Sequence, residues 1–163
     1  MTTRREVVMR LIALGMLSPT MVACKEDGGN GMGLFKKKEV ALNVVLFNYF
    51  SRSIFEVLLD GSEIGAAGAY GGGGGVMTGV TVPLGRQTLS WRLDGPEGMP
   101  GNGDTVTVAN VLTLTADQVS SDDRYLGVHI YPDNTAELTF SQYLPEATPK
   151  GERIYKENHI DAP

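Results

Sequence analysis

The side chains that could perform acid–base chemistry or bind a metal are few and scattered. His129 falls inside an apolar, strand-like segment and His159 lies near the C-terminus. A lone histidine in a strand is usually a solvent-facing or sheet residue, so we expect a structural role for His129. The carboxylates Asp117, Asp122 and Asp123 lack the alternating spacing of a calcium-binding loop. This pattern is typical of a solvated acidic turn.

Motifs for nucleophilic or cofactor chemistry are missing from the sequence. No serine stands in a Gly-x-Ser-x-Gly turn, and the glycine-rich run Gly65–Gly75 is followed neither by Gly-Lys-Ser/Thr nor by a helical pattern. A carboxylate pair such as Glu56 and Glu137 could meet across strands, but the sequence alone does not bring them together. We therefore predict that the protein is not an enzyme and uses no metal or cofactor.

The single cysteine, Cys24, follows a segment with the parts of a bacterial lipoprotein signal. Arg4 and Arg5 form a basic start, Leu11–Leu17 is apolar, and Ala23 precedes the cysteine. Even with its flanking residues, at about 12 in all, the apolar segment is too short to cross a bilayer, which takes roughly 20. An ordinary secretory signal without lipidation stays open, because Met21 stands where the lipobox usually has leucine.

Acylated Cys24 would attach the protein to a membrane on the periplasmic side of the bacterial envelope. Lys25 directly after it favours the outer membrane over the inner one. Residues 24–163 contain eleven basic and eighteen acidic residues, a net charge of −7. A body this acidic argues against nucleic acid as a partner, since phosphate binding needs clustered lysine and arginine.

Four regions follow from the composition. Residues 1–23 are the predicted signal peptide, residues 24–39 a flexible Gly- and Lys-rich tether, residues 40–145 a β domain, and residues 146–163 an irregular or disordered tail. The run Gly65–Gly75 is expected to be a mobile connection between strands, with one close approach of its backbone to a neighbour.

Short segments rich in β-branched and aromatic residues predict the strands. Val40–Asn48 reads as a strand buried on both faces, paired with Ile54–Leu59 in an antiparallel hairpin. Alternation over Gln87–Leu93 places Trp91 in the core, and a change of phase near Ala109-Asn110 predicts a bulge or a break into two strands. Tyr125–Tyr131 and Thr135–Gln142 form the clearest hairpin.

The best helical candidate is Ala116–Leu126, which is expected to form a short helix or a turn. About seven short strands with Gly- and Pro-rich turns and at most one short helix predict an all-β fold. Its architecture is an antiparallel β-sandwich or a partly open barrel.

An ordered set of weak motifs over residues 40–145 resembles a family of short bacterial lipoproteins of unknown function. The set comprises Asn48-Tyr49 with Ile54-Phe55, the glycine run, Pro83, Trp91, and Val128-His129-Ile130-Tyr131-Pro132-Asp133 followed by Glu137. Members are often encoded beside type VI secretion phospholipase effectors, which implies an immunity role for some. One departure is that the family commonly has cysteines after the glycine run, where this chain has Val76-Met77-Thr78.

These observations predict a membrane-anchored periplasmic binding lipoprotein without catalytic activity. The resemblance implies an immunity protein that neutralises a phospholipase toxin. Candidate partner-binding residues are Tyr70, Tyr131 and the acidic turn with Asp117, Asp122 and Asp123. Two alternatives stay open: a structural or accessory envelope lipoprotein, and a β domain that binds a small ligand.

Overall fold

The computed structural model describes residues 38–161. The predicted signal peptide, Cys24 and nearly all of the predicted tether lie outside these residues. The described chain contains ten strands and one helix: β1 (Glu39–Asn48), β2 (Ile54–Leu59), β3 (Ser62–Ala67), β4 (Gly72–Pro83), β5 (Gly85–Gln87), β6 (Leu89–Leu93), β7 (Thr105–Thr107), β8 (Leu112–Leu114), β9 (Tyr125–Ile130), β10 (Ala136–Ser141) and α1 (Pro149–Glu157).

Two four-stranded sheets form the body of the domain. Sheet A has the order β10-β9-β1-β4 and sheet B the order β3-β2-β6-β7, while β5 and β8 form a small third sheet. Apolar side chains from all three sheets contribute to one hydrophobic core. The predicted all-β class is confirmed, and of the two predicted architectures the fold adopts the sandwich. Every strand pair is antiparallel except β1 with β9.

Strand β1 is buried on both faces, as predicted. Leu42, Val44 and Leu46 face the main core, whereas Val45 and Phe47 face a second cluster on the outer side of sheet A. Successive side chains of a strand point to opposite faces, so a run without polar alternation needs cover on both.

The predicted hairpin of β1 with β2 is wrong, because β1 pairs with β4 and β9 while β2 pairs with β3 and β6. The buried Asn48 amide directs the chain between the sheets: its Nδ2 donates to the carbonyls of Arg52 (2.8 Å) and Gly68 (2.7 Å), and its Oδ1 accepts from the Phe50 N–H. The intervening residues therefore cross the sandwich instead of closing a hairpin.

The glycine run makes the close backbone approach that was predicted, but it is more than a connection between strands. It ends β3, makes a tight turn closed by Gly71 N–H to Gly68 C=O (3.0 Å), and begins β4. Gly72 packs directly on the Phe47 ring, and a Cβ there would collide with it. Main chain without side chains can thus lie against an aromatic ring of β1.

Several other predictions are confirmed. β9 and β10 form the predicted antiparallel hairpin, Trp91 is fully buried, and the break near Ala109-Asn110 separates β7 from β8. Of the two alternatives predicted for Ala116–Leu126, a short helix or a turn, the structure adopts turns. Polar side chains there bond the local backbone, as when Gln118 Oε1 accepts from the Thr115 N–H (2.8 Å), and this favours turns over a helix.

Helix α1 occupies the region predicted to be an irregular tail. Thr148 caps its N-terminus by accepting the Gly151 N–H at 3.1 Å, and Pro149 lies in the first turn, where a missing N–H is harmless. Glu152 and Lys156 pair at 3.6 Å on the exposed side. The helix buries Gly151 and Tyr155 against the outer face of sheet A.

We expect Gly151→Ala to lower the free energy of unfolding by about 1–3 kcal/mol, as overpacking of a core does. An added Cβ would overlap the ring of Tyr49, which is itself fully buried. The sign of this change is informative, because replacing glycine by alanine in a helix otherwise stabilises it by about 1 kcal/mol. Urea unfolding measures the change.

Gly68→Ala is the matched control, since a Cβ at Gly68 meets nothing within 4 Å. It should shift stability by no more than about 0.5 kcal/mol. A Gly151→Ala protein at least as stable as the parent would contradict the close packing of α1 on Tyr49.

Candidate functional site

A layer of stacked aromatic rings covers the outer face of sheet A beneath α1. Its members, here called the aromatic layer, are Phe47, Tyr49, His129, Tyr131 and Tyr155. The His129 ring stacks on Phe47 with centroids 4.4 Å apart, and the Tyr49 and Tyr131 rings stack at 5.0 Å. The residues come from β1, β9 and α1 and from positions directly beyond the two strands.

His129 is fully buried in β9, so of the two expected positions it has the sheet position and not the solvent-facing one. The predicted alternation is right, because His129 shares a face with Tyr131 and points away from the core side chains of Val128 and Ile130. That face is covered by the C-terminal segment. The Nδ1 atom of His129 lies 2.9 Å from the Tyr49 hydroxyl, and its Nε2 atom lies 2.9 Å from the Thr139 hydroxyl.

Burial decides the charge states in this layer. Desolvation lowers the pKa of His129 to about 4, so the ring is neutral at neutral pH. A neutral imidazole has one donor and one acceptor, and the two hydroxyls can satisfy both. Desolvation likewise raises the pKa of Tyr49 and Tyr131 above the ordinary value. Tyr49, His129 and Tyr131 thus form an uncharged, hydrogen-bonded group whose imidazole has no exposed surface for a substrate. The buried hydroxyl of Tyr155 has no hydrogen-bond partner among the described residues.

Tyr131, predicted to contact a partner, is instead buried under α1. Only 2% of its surface is exposed. Its hydroxyl donates to Glu137 Oε2 at 2.9 Å and lies 2.6 Å from Thr148 Oγ1, while Lys150 Nζ sits 3.9 Å from the ring centroid. Tyr131 therefore holds the helix N-terminus on the sheet and cannot meet a partner in this conformation.

Tyr70 connects the turn between β3 and β4 to the far end of α1. It adopts a left-handed backbone conformation (φ 48°), and its hydroxyl donates to Asn158 Oδ1 at 2.8 Å. The half-buried ring also packs against the aromatic layer. This contact gives Tyr70 a structural role, and its predicted role in partner binding stays a prediction.

The acidic residues of the 115–123 turns are accessible. Asp117 is exposed, and hydrogen bonds from Thr115 and its own backbone N–H lower its carboxyl pKa. Asp123 accepts the Ser120 N–H at 2.8 Å, and Asp122 is exposed. These contacts shape a solvated turn, and its use by a partner stays a prediction.

The carboxylates Glu56 and Glu137 do not meet. Glu56, on β2 in sheet B, pairs with Arg92 at 3.2 Å, whereas Glu137, on β10 in sheet A, bonds Tyr131. Within residues 38–161, no three His, Cys, Asp or Glu side chains are arranged to hold a metal ion.

The sequence interpretation missed a groove on the open side of the sandwich, between β3 of sheet B and β4 of sheet A. We call it the β3–β4 groove; its volume is about 530 Å³. Eleven residues line it, and none has a polar side chain: Leu46, Ile64, Gly65, Ala66, Ala67, Gly68, Gly71, Gly72, Gly75, Val76 and Met77. The signal in the sequence was the glycine run placed directly before two apolar residues.

The groove reaches from solvent to the core. Leu46 and Ile64, its inner side chains, belong to the main core and are only 6% and 3% exposed. Val76 and Met77, on its outer wall, are 43% and 41% exposed. The small residues between them leave the space open, so apolar side chains and exposed main-chain atoms line a preformed groove.

No protein-family model matches the chain, and comparisons with curated proteins and with solved structures give no match. Over residues 38–161 there is no helix with the length and apolar character needed to span a membrane.

Buried His129 should make stability depend on pH. Unfolded histidine takes up a proton below its ordinary pKa of 6.5, whereas folded His129 does so only near 4. The unfolded state therefore binds more protons in this window, and stability falls as the pH drops from about 6.5 to 4. The loss assigned to this group is at most about 3 kcal/mol. Urea unfolding measured at several pH values in this range should show that the free energy of unfolding depends less steeply on pH for His129→Gln than for the parent.

His159→Gln is the control, because His159 is exposed beyond the end of α1. The free energy of unfolding of this variant should depend on pH as steeply as that of the parent. Equal slopes for the parent and His129→Gln would show that the imidazole is not held neutral by burial.

Proposed function

We propose that this protein is a non-catalytic binding lipoprotein of the bacterial envelope, anchored through Cys24 and facing the periplasm. We further propose that it is an immunity protein that neutralises a type VI secretion lipase effector. The observation that carries the binding role is the β3–β4 groove, an open and uncharged surface with exposed Val76 and Met77 beside it.

The proposed anchor rests on the sequence up to Cys24. Fourteen residues separate Cys24 from Glu39, where β1 begins. A chain of this length reaches at most about 50 Å, enough to place the domain beside a bilayer or well away from it. Stable attachment takes more than one acyl chain, at about 0.8 kcal/mol per buried CH₂. Lys25, directly after the cysteine, supports attachment to the outer membrane and not to the inner one.

The binding role fits the chemistry of the groove. Its lining side chains are aliphatic, methionine or absent, so they provide contact area and shape but no acid, base or nucleophile. Protein interfaces draw most of their affinity from a small, well-packed apolar centre. A surface of this kind suits neutralisation of a toxin by occupying or distorting its site.

The toxin as partner is supported by the resemblance over residues 40–145. A lipid-attacking enzyme works at a membrane surface, and an anchored binding protein would be concentrated there. The accessory envelope role is the rival, and the neighbouring genes separate the two. An adjacent lipase-type effector favours immunity, whereas an envelope-assembly cluster favours the accessory role.

A small-ligand role is favoured by one observation. The groove volume of about 530 Å³ lies in the range of small-molecule pockets, roughly 300–1,000 Å³. Such pockets usually combine an apolar wall with a few convergent polar side chains, however, and none of the lining residues supplies one. Protein binding is therefore the better-supported role.

Cys24→Ser should release the protein from membranes while leaving residues 38–161 folded, because the acyl chains are its proposed attachment. Fractionation of cells and circular dichroism of the released protein measure the two effects. Lys25→Ser is a matched control that keeps the cysteine and should stay in the membrane fraction. Cys24→Ser that stays with the membranes would refute the lipid anchor.

Expression of the full chain should protect cells against the lipase-type effector encoded beside it, delivered to the periplasm. The expected result is restored growth and co-purification of the two proteins. Growth arrest despite normal levels of the anchored protein, with no co-purification, would refute the immunity role.

A further inference from the structure

We propose that the β3–β4 groove binds an extended segment of a protein partner, apolar where it lies in the groove and basic where it leaves it. This inference deepens the proposed binding role and rests on it. It specifies how the partner is held: as an added strand with its apolar side chains inserted between the sheets.

The first reason is the main chain of β4. Its ladder with β1 pairs Val45 with Val76 and Phe47 with Gly72, so three residues of β4 stand opposite the single residue Leu46. This bulge leaves main-chain groups of the glycine run without a regular ladder partner on β1. Since no lining residue has a polar side chain, the polar atoms of the groove belong to the main chain. A ligand with N–H and C=O groups of its own satisfies them best.

The second reason is that β3 and β4 are both edge strands. Among residues 38–161 no strand pairs with the outer side of β4. Natural edges are usually blunted by charges or covered, and the opposite edge of sheet A shows such cover. There the Asn110 amide bonds both the N–H and the C=O of Ala136 on β10 (2.8 and 2.9 Å). The twelve residues of β4 include no charged side chain.

The third reason is the shape of the floor. Leu46 from sheet A and Ile64 from sheet B meet below the opening, with Val76 and Met77 at the wall. An added strand directs alternate side chains to one face, and pockets for those side chains provide specificity. Two or three medium-sized apolar side chains of a partner would cover the exposed parts of Val76 and Met77.

Charge points to basic flanks on the partner. From Gly61 to Pro83 the only charged residue is Glu63, an exposed side chain on β3. Residues 38–161 contain eight basic and sixteen acidic residues, a net charge of −8. The field around the groove is therefore negative, and it attracts a cationic segment while repelling an acidic one.

The other occupants fit less well. An acyl chain would cover the exposed main-chain groups without bonding them, and burial of an unsatisfied polar group is costly. A second copy of the protein would bring two bodies of charge −8 together around Glu63. Both remain outcomes of the experiment.

The experiment uses the purified full chain carrying Cys24→Ser, so that it needs neither acylation nor a toxin. A phage-displayed library of random twelve-residue peptides is selected on this protein. We expect enriched peptides that alternate apolar residues in the centre and carry lysine or arginine at the ends. One such peptide is then synthesised with a fluorescent label, and its affinity is measured by anisotropy.

Val76→Lys should weaken binding of this peptide at least tenfold by placing a cation at the wall of the groove. Val111→Lys is the matched control, because Val111 is also an exposed valine (65% exposed) and does not line the groove. It should leave the affinity unchanged. Glu63→Gln should weaken binding less than Val76→Lys and reduce its salt dependence. The peptide should also slow hydrogen exchange of the β4 amides.

Four results would overturn the proposal. The first is a selection that enriches no peptide over an uncoated surface, and the second is equal peptide binding by Val76→Lys and the parent. The third is displacement of the peptide by palmitate at equal concentration. The fourth is a dimer in sedimentation that becomes a monomer in Val76→Lys. The last two assign the groove to an acyl chain or to a second copy. Failure of the envelope or immunity role would appear only in the fractionation and protection experiments, so the two failures are distinguishable.

Discussion

The double-sided burial of β1 is the constraint on which the rest of the domain depends. One face of the strand completes the sandwich core, and the other presents Phe47, followed directly by Tyr49, on the outer side of sheet A. An aromatic face of this size cannot be left in water without losing the free energy of its burial. Helix α1 covers it, and the close contact of Gly151 with Tyr49 shows how tightly. The C-terminal segment is therefore part of the fold, and buried His129 belongs to the same covered layer.

At its β4 edge, sheet A is not covered by another element of the described chain. Glycines replace side chains there, so the sandwich stays open between β3 and β4 and the core residues Leu46 and Ile64 line the bottom of a groove. Phe47 explains part of this composition, because it leaves no room for a Cβ at Gly72. The fold thus has one face closed by its own helix and one side left open. The open side offers a groove between the two sheets that another molecule can reach.

These two features organise the functional proposal. The imidazole of His129 is neutral and lies between two hydroxyls, and the contact of Tyr131 with Thr148 holds α1 in place. The accessible groove has contact area without reactive groups. An anchor at Cys24 would hold such a surface close to a membrane, where a lipid-attacking toxin acts. The proposed partner comes from the resemblance of the motifs, whereas the proposed mode of binding comes from the geometry of β4.

Local patterns determined the all-β class, the burial of Trp91 and the β9–β10 hairpin, because alternation and turn residues act over a few residues. Pairing of β1 and the order of the sheets depend on contacts between distant segments, and only the tertiary structure decided them. The tail was expected to be irregular because its prolines suggest breaks, yet Thr148 caps a helix whose stability comes from packing on sheet A. Packing of the C-terminal segment on sheet A also buries His129, although its strand pattern is typical of a solvent-facing residue. Whether a polar or aromatic face is exposed depends on what the rest of the chain lays across it, and no local pattern records that.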